Sequence, residues 1–186
     1  MSKRSLPPQE TGRLRLRLLE ERDLPRTLAW RNQSHIRRWF FSSERLTLRQ
    51  HTDWFARYQD RDDDFVFIIE EAASRERPIG QVALYNIDWS HGKAEFGRLM
   101  IGEADAAGSG LAREATEAVL DLAFRQLGLR EVYLEVMSSN VRAIKVYEAC
   151  GFEVTGSTEK TVSMNKRAEK KKGKRGKALS VLNSDS

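Results

Sequence analysis

Between residues 91 and 126 the chain changes its period, and a pair of glycines marks the change. "HGKAEFGRLMIG" (91–102) reads as a strand. From Leu111 to Gln126, the residues Leu111, Ala115, Val119, Leu122 and Phe124 lie mostly on one face at helical spacing, and Gly128 ends the helix. Gly108 and Gly110 stand between the two. Glycine lets a backbone approach a ligand without Cβ interference, so the amides of residues 108–112 open the helix bare. Free amides and the helix dipole together suit a phosphate, although a lone G-S-G is more often a plain tight turn into a helix. A third glycine is missing and the strand follows a meander, which excludes a Rossmann fingerprint. Lys and Ser/Thr are missing after the second glycine, which excludes a P-loop.

The rest of the chain supplies an α+β pattern. Residues 1–11 read as a flexible leader. "RLRLRLL" (13–19) alternates as a half-buried strand does. Asp23 and Thr47 are placed to cap two early helices, the second carrying His51, Trp54, Phe55 and Tyr58 on one side. "DFVFIIEE" and "RPIGQVALYNIDWS" read as strands, and Gly92 supports a hairpin between the latter and the strand at 93–102. "REVYLEVMS" is a strand, "NVRAIKVYEAC" a short helix closed by Gly151, and "FEVTGSTEKTVSMN" one strand candidate. The folded domain is expected over 12–164. Residues 165–186 are a basic loop or tail, with a possible last strand at 178–183.

Charge locates this tail. The 186 residues carry 32 Lys and Arg against 27 Asp and Glu. Nine of the basic and three of the acidic residues lie from Ser157 onward, leaving 23 against 24 elsewhere. The basicity therefore belongs to the tail, and nucleic acid is a less favoured partner than for a chain with a basic folded face. No apolar run approaches the ~18 residues of a membrane span. The start lacks a secretory h-region, so a cytoplasmic protein is expected. With Cys150 alone, no internal disulfide forms, and no Cys/His cluster suggests a metal.

Together, "AEFGRLMIG", "GSGLAREATEAVLDLAF" and "LGLREVYLEVMSSNVRAIKVYEACGF" resemble the GNAT superfamily of acyl-CoA-dependent N-acetyltransferases. The resemblance implies a mixed, mostly antiparallel central sheet flanked by helices, with acetyl-CoA as co-substrate and no metal. It implies that Leu99, Met100 and Ile101 meet the pantetheine arm and acetyl carbonyl on a strand splayed from its neighbour. Gly108, Ser109, Gly110, Leu111 and Ala112 would match the diphosphate turn, whose usual Gln or Arg is here Asp105. Asn140, Ala143 and Tyr147 share one helical face. By resemblance, Asn140 and Ala143 bind the cofactor and Tyr147 protonates the departing thiolate. A phenol, titrating near ~10, can do so at neutral pH. Glu95 is the base candidate beside the acetyl site, the others being His35, His51, His91 or a water chain.

The early segment, dense in aromatics and Arg, is similar to acetyltransferases of nucleotide-linked amino sugars of the pseudaminic-acid type, within the ribosomal-protein-type (RimJ/RimL-like) branch. Arg31 and Arg37 would meet a diphosphate, while Trp54, with His51 nearby, would serve the acceptor. The alternatives are an N-terminal or other small-amine acetyltransferase, a degenerate CoA-binding protein, and an RNA- or ribosome-associated protein. A homodimer is compatible with any of them.

Overall fold

Strand β3 (Phe65–Glu71) is buried on both faces because alternate residues feed two cores. The computed structural model describes residues 6–74 and 77–169. On one face Phe65, Phe67 and Ile69 pack with Leu14, Leu16, Ile79 and Phe96 against Leu111, Ala115 and Val119. On the other, Val66 and Ile68 pack with Leu24, Phe55 and Tyr58. Each such side chain contributes roughly 1.5–3 kcal/mol by leaving water.

Eight strands form one sheet in the order β1-β2-β3-β4-β5-β6-β8-β7. Besides β3 they are β1 (Gln9–Glu10), β2 (Leu14–Leu18), β4 (Arg77–Asp88), β5 (Lys93–Ile101), β6 (Glu131–Met137), β7 (Glu153–Ser157) and β8 (Thr161–Arg167). Every neighbouring pair is antiparallel except β5 and β6. The helices are α1 (Leu24–Asn32), α2 (Ser34–Arg37), α3 (Leu48–Gln59), α4 (Leu111–Asp121) and α5 (Val141–Ala149). The sheet is mixed and mostly antiparallel and is flanked by helices, as the resemblance implies.

Local chemistry accounts for most boundaries. Thr47 caps α3 by accepting from the Gln50 amide, while the Gln50 side chain returns to the Thr47 amide at 2.8 Å. Gly128 (φ +68°) and Gly151 (φ +85°) close their helices in the left-handed region. Before Gly128, α4 widens into a π turn over Leu122–Gln126.

Four expectations change. Asp23 does not cap α1. Its carboxylate accepts from Arg17 and from the Glu20 amide, because buried Arg17 needs anions and takes Asp23 and Glu70 together. The leader expected over 1–11 is folded from Leu6 onward, which is buried, and β1 pairs with β2. Residues 153–167 are a hairpin rather than one strand. The Thr158 hydroxyl accepts from the amides of Lys160 and Thr161 and turns the chain there. β8 then runs to Arg167, past the expected boundary at 164. The possible strand at 178–183 lies outside the described residues. No helix among those described is long and apolar enough to cross a membrane.

Candidate active site

Parallel pairing of β5 with β6 covers only Lys93↔Glu131, Ala94↔Val132 and Glu95↔Tyr133, after which the strands part. The separation coincides with a bulge in β5. Gln81 opposes Met100 while Ala83 opposes Gly97, so β5 holds one extra residue, and Arg98 there has φ +51°. Between the parted strands lies a cavity of about 520 Å³. One wall is residues 96–101 of β5, the other residues 134–137 of β6.

At one end of the cavity is the glycine turn. Gly108 and Gly110 both have φ +82°, a conformation other residues adopt only with strain. Gly108, Gly110, Ala112 and Arg113 line this end, with Asn140, Arg142 and Ala143 facing them from α5. Asp105, the unexpected acid before the turn, accepts a fork from Arg77 at 2.6 and 2.9 Å. Arg77 thereby holds the Asp105 carboxyl below its ordinary pKa. Arg13, just before β2, braces the turn, donating to the Ser109 carbonyl at 3.0 Å and to Glu114 at 2.7 Å.

Of the expected cofactor residues, Leu99, Met100, Ile101, Gly108, Gly110, Ala112, Asn140 and Ala143 line the cavity. Ser109 and Leu111 do not. The Ser109 hydroxyl donates to the Ala106 carbonyl, and the Leu111 side chain is buried in the core because α4 turns that face to the sheet. Asn140 caps α5, its Oδ1 accepting from the Ala143 amide at 3.3 Å, which leaves its Nδ2 hydrogens unspent on that cap.

Tyr147 reaches the middle of the cavity from α5. Its ring stands edge-on to Phe96, with centroids 5.7 Å apart, and to Phe152. Burial, helped by nearby Cys150, pushes its pKa up, so the phenol keeps its proton at neutral pH.

At the far end α2 and the following residues supply His35, Ile36, Trp39, Phe40 and Phe41, opposite Tyr85, Arg98 and Glu135. Gln33 ties this segment to β5 by donating to the Gly102 carbonyl. Arg98 donates to both oxygens of fully buried Asp64 at 2.9 and 3.1 Å, and its guanidinium lies 4.2 Å from the centre of the Tyr85 ring. Tyr85 in turn donates to Glu95 at 2.9 Å, and Asn86 donates to the other Glu95 oxygen at 2.8 Å. Glu95 itself does not line the cavity. It holds Tyr85, which does.

The acceptor residues expected from the sequence are placed elsewhere. Arg31 is buried, donates to the Ser42 carbonyl and stacks on Phe40 at 3.9 Å. Arg37 reaches toward the Ser43 carbonyl. His51 shares a hydrogen bond with the Thr27 hydroxyl and stacks on Trp54, which also stacks on Tyr58 and lies under Arg98. None of the four lines the cavity. Helical spacing showed that His51 and Trp54 share a side of α3, and that side packs on the sheet. Of the base candidates, His35 alone lines the cavity. Trp39, Tyr85, Arg98, Glu135 and Arg142 escaped the sequence analysis. Alternation along β6 and the Asn-Val-Arg-Ala start of α5 were the available signals for the last two. Among the described residues no group of His, Cys, Asp or Glu is arranged to hold a metal.

Comparison with known proteins places these features in a family. Residues 13–153 match the model of the acetyltransferase (GNAT) domain. The chain is 29% identical over 156 residues to a spermidine N(1)-acetyltransferase of Vibrio cholerae, covering 84% of this chain and 88% of that one. It is also 29% identical over 143 residues to the Escherichia coli K12 spermidine N(1)-acetyltransferase, covering 77% and 74%. The crystal structure of the Vibrio cholerae spermidine N-acetyltransferase with CoA and spermine superposes with a TM-score of 0.78 at 26% identity, covering 84% of this chain and 96% of that one. These relatives carry spermidine in their names, rather than the nucleotide-linked amino sugars or ribosomal-protein termini to which the motifs had been matched.

Proposed function

From the premise that this chain belongs to the acetyltransferase (GNAT) family and is an acetyl-CoA-dependent N-acetyltransferase, we propose that its acceptor is a small primary amine. The observation that carries this reading is the parting of β5 from β6 after Glu95 and Tyr133. It opens one cavity from the glycine turn, past Tyr147, to an aromatic end built by α2. The bare amides at Gly108 and Gly110 suit a diphosphate, and the gap between the parted strands suits a pantetheine arm.

Acetyl-CoA supplies the activated acyl group. The chain's own residues do the rest. Backbone amides on the bulged β5, near Met100 and Ile101, stabilise the charge that develops on the acyl oxygen. Tyr147 gives its proton to the departing thiolate. Tyr85, held by Glu95, keeps a phenol oxygen free to accept from the incoming amine, and His35 takes the amine's proton. Glu95 is thus a positioning residue.

The aromatic end also bears on which amine enters. Among the described residues that line the cavity, Glu135 is the only carboxylate. The rings of Trp39, Phe40 and Tyr85 already carry arginines at 4.7, 3.9 and 4.2 Å. One ammonium group beside Glu135 suits this end better than a long polycation does. The sugar-nucleotide reading leaned on Arg31 and Arg37, which are engaged elsewhere, and loses that support.

The test is thiol release from acetyl-CoA with spermidine, spermine, putrescine, simple aliphatic and aromatic monoamines, amino-sugar nucleotides and short peptides, with products identified by mass. The expected preference is for mono- or diamines with an apolar body. Highest kcat/KM for spermine would overturn the charge argument, and highest kcat/KM for a sugar nucleotide would overturn the amine class.

A further inference from the structure

Among the described residues four arginines surround the glycine turn, and three of them are paired with carboxylates. Arg13 donates to Glu114, Arg77 to Asp105 and Arg113 to Glu117 at 2.9 Å. The fourth, Arg142, projects from the first turn of α5 and makes no hydrogen bond or ion pair with any described residue. Its Nη2 lies 3.4 Å from the point that a Cβ on Gly108 would occupy, and it lines the same cavity end as the Gly108 and Gly110 backbone. An arginine beside bare amides in left-handed glycines, with Glu114, Asp105 and Glu117 already engaged by other arginines, completes an anion site rather than an ion pair within the protein.

We propose that Arg142 is the cation that holds the diphosphate of CoA in this enzyme. This inference rests on the acetyl-CoA reading of the cavity. Asp105 stands where an anion's neighbour would be expected to be basic, and its charge is taken by Arg77. The missing positive charge enters instead from α5, across the mouth of the turn. Arg113, the cation nearest in sequence, is drawn along α4 by Glu117 one helical turn on. Arg142 and Gly108 therefore border one anion space, Nη2 standing at contact distance from the position a Cβ on Gly108 would take.

The experiment compares wild type, Arg142→Gln and Arg142→Lys by titration calorimetry with CoA and with 3′-dephospho-CoA, and by kinetics with acetyl-CoA and with S-acetylpantetheine. Loss of one charged hydrogen-bonding group predicts about tenfold weaker binding of both nucleotides by Arg142→Gln, partly recovered in Arg142→Lys. With S-acetylpantetheine, which lacks the diphosphate, the variant and wild type should turn over equally. A loss confined to CoA and absent with 3′-dephospho-CoA would move Arg142 to the 3′-phosphate and overturn the proposal. An equal loss with S-acetylpantetheine would mean a merely structural role and overturn it too. Unchanged affinity in the variant, with normal CoA binding by wild type, would remove Arg142 alone. Failure of wild type to bind CoA would remove the underlying reading of the cavity as well.

Discussion

The phenol of Tyr85 lies across Gly97, its oxygen 2.9 Å from where a Cβ on residue 97 would sit. The two residues belong to adjacent strands beside the bulge at Arg98, and the ring occupies the space that glycine leaves. This overlap aims Tyr85 into the cavity while its hydroxyl reaches Glu95. Gly97→Ala should displace the ring and break that hydrogen bond. The expected result is a loss of ~1 kcal/mol in urea unfolding. The KM for the amine should rise roughly fivefold, with the KM for acetyl-CoA unchanged. An unchanged amine KM would separate Tyr85 from the acceptor.

Tyr147→Phe removes a hydroxyl and keeps the packing on Phe96 and Phe152. If the phenol supplies the leaving thiolate's proton, turnover should fall by about 10²-fold. CoA affinity and melting temperature should stay close to those of wild type. Turnover equal to wild type would remove Tyr147 from the acid role.

Gly110→Val places a β-branched residue at φ +82° in the turn. The backbone strain costs about 1–2 kcal/mol. Blocking the amides should weaken CoA binding by at least roughly tenfold beyond that strain. Gly128→Val is the control, because Gly128 has φ +68° with open space around it and does not line the cavity. It should lose comparable stability and keep CoA affinity. Equal CoA affinity in both variants would put the phosphates elsewhere.

His51 is partly buried between Thr27 and Trp54, and burial lowers its pKa. The unfolded chain therefore binds a proton at His51 more readily than the folded one. Stability should be intact above the unfolded value of about 6.5 and should fall as pH drops through the folded value. His51→Gln should flatten that part of the profile. Thermal unfolding at several pH values between 7.5 and 5 reads the difference. A variant profile as steep as wild type would assign the pH dependence to other groups.

The elements that rest on neighbours in the chain were legible beforehand. Alternation marked β2 and β6, Thr47 was placed to cap α3, and Gly128 and Gly151 to close the helices before them. The same local logic put Gly108 and Gly110 in a turn that opens a helix and Asn140, Ala143 and Tyr147 on one helical face, because these are short-range features; their roles came from the family resemblance. The turn at Thr158 was missed because a hydroxyl collecting two amides has no periodic signature.

The amino-acid order by itself determined the α+β elements, the bare turn before a long helix and the family pattern these carry. Only the tertiary structure decided which side chains meet the ligand space. Helical periodicity groups His51 with Trp54 but cannot say that their shared face is claimed by the sheet, nor that Arg31 is drawn onto Phe40. Arg142 and Gly108 lie in separate elements and meet only because the parting of β5 and β6 sets α5 opposite the turn. Such meetings follow from long-range register and competition for partners, which no short window of residues encodes.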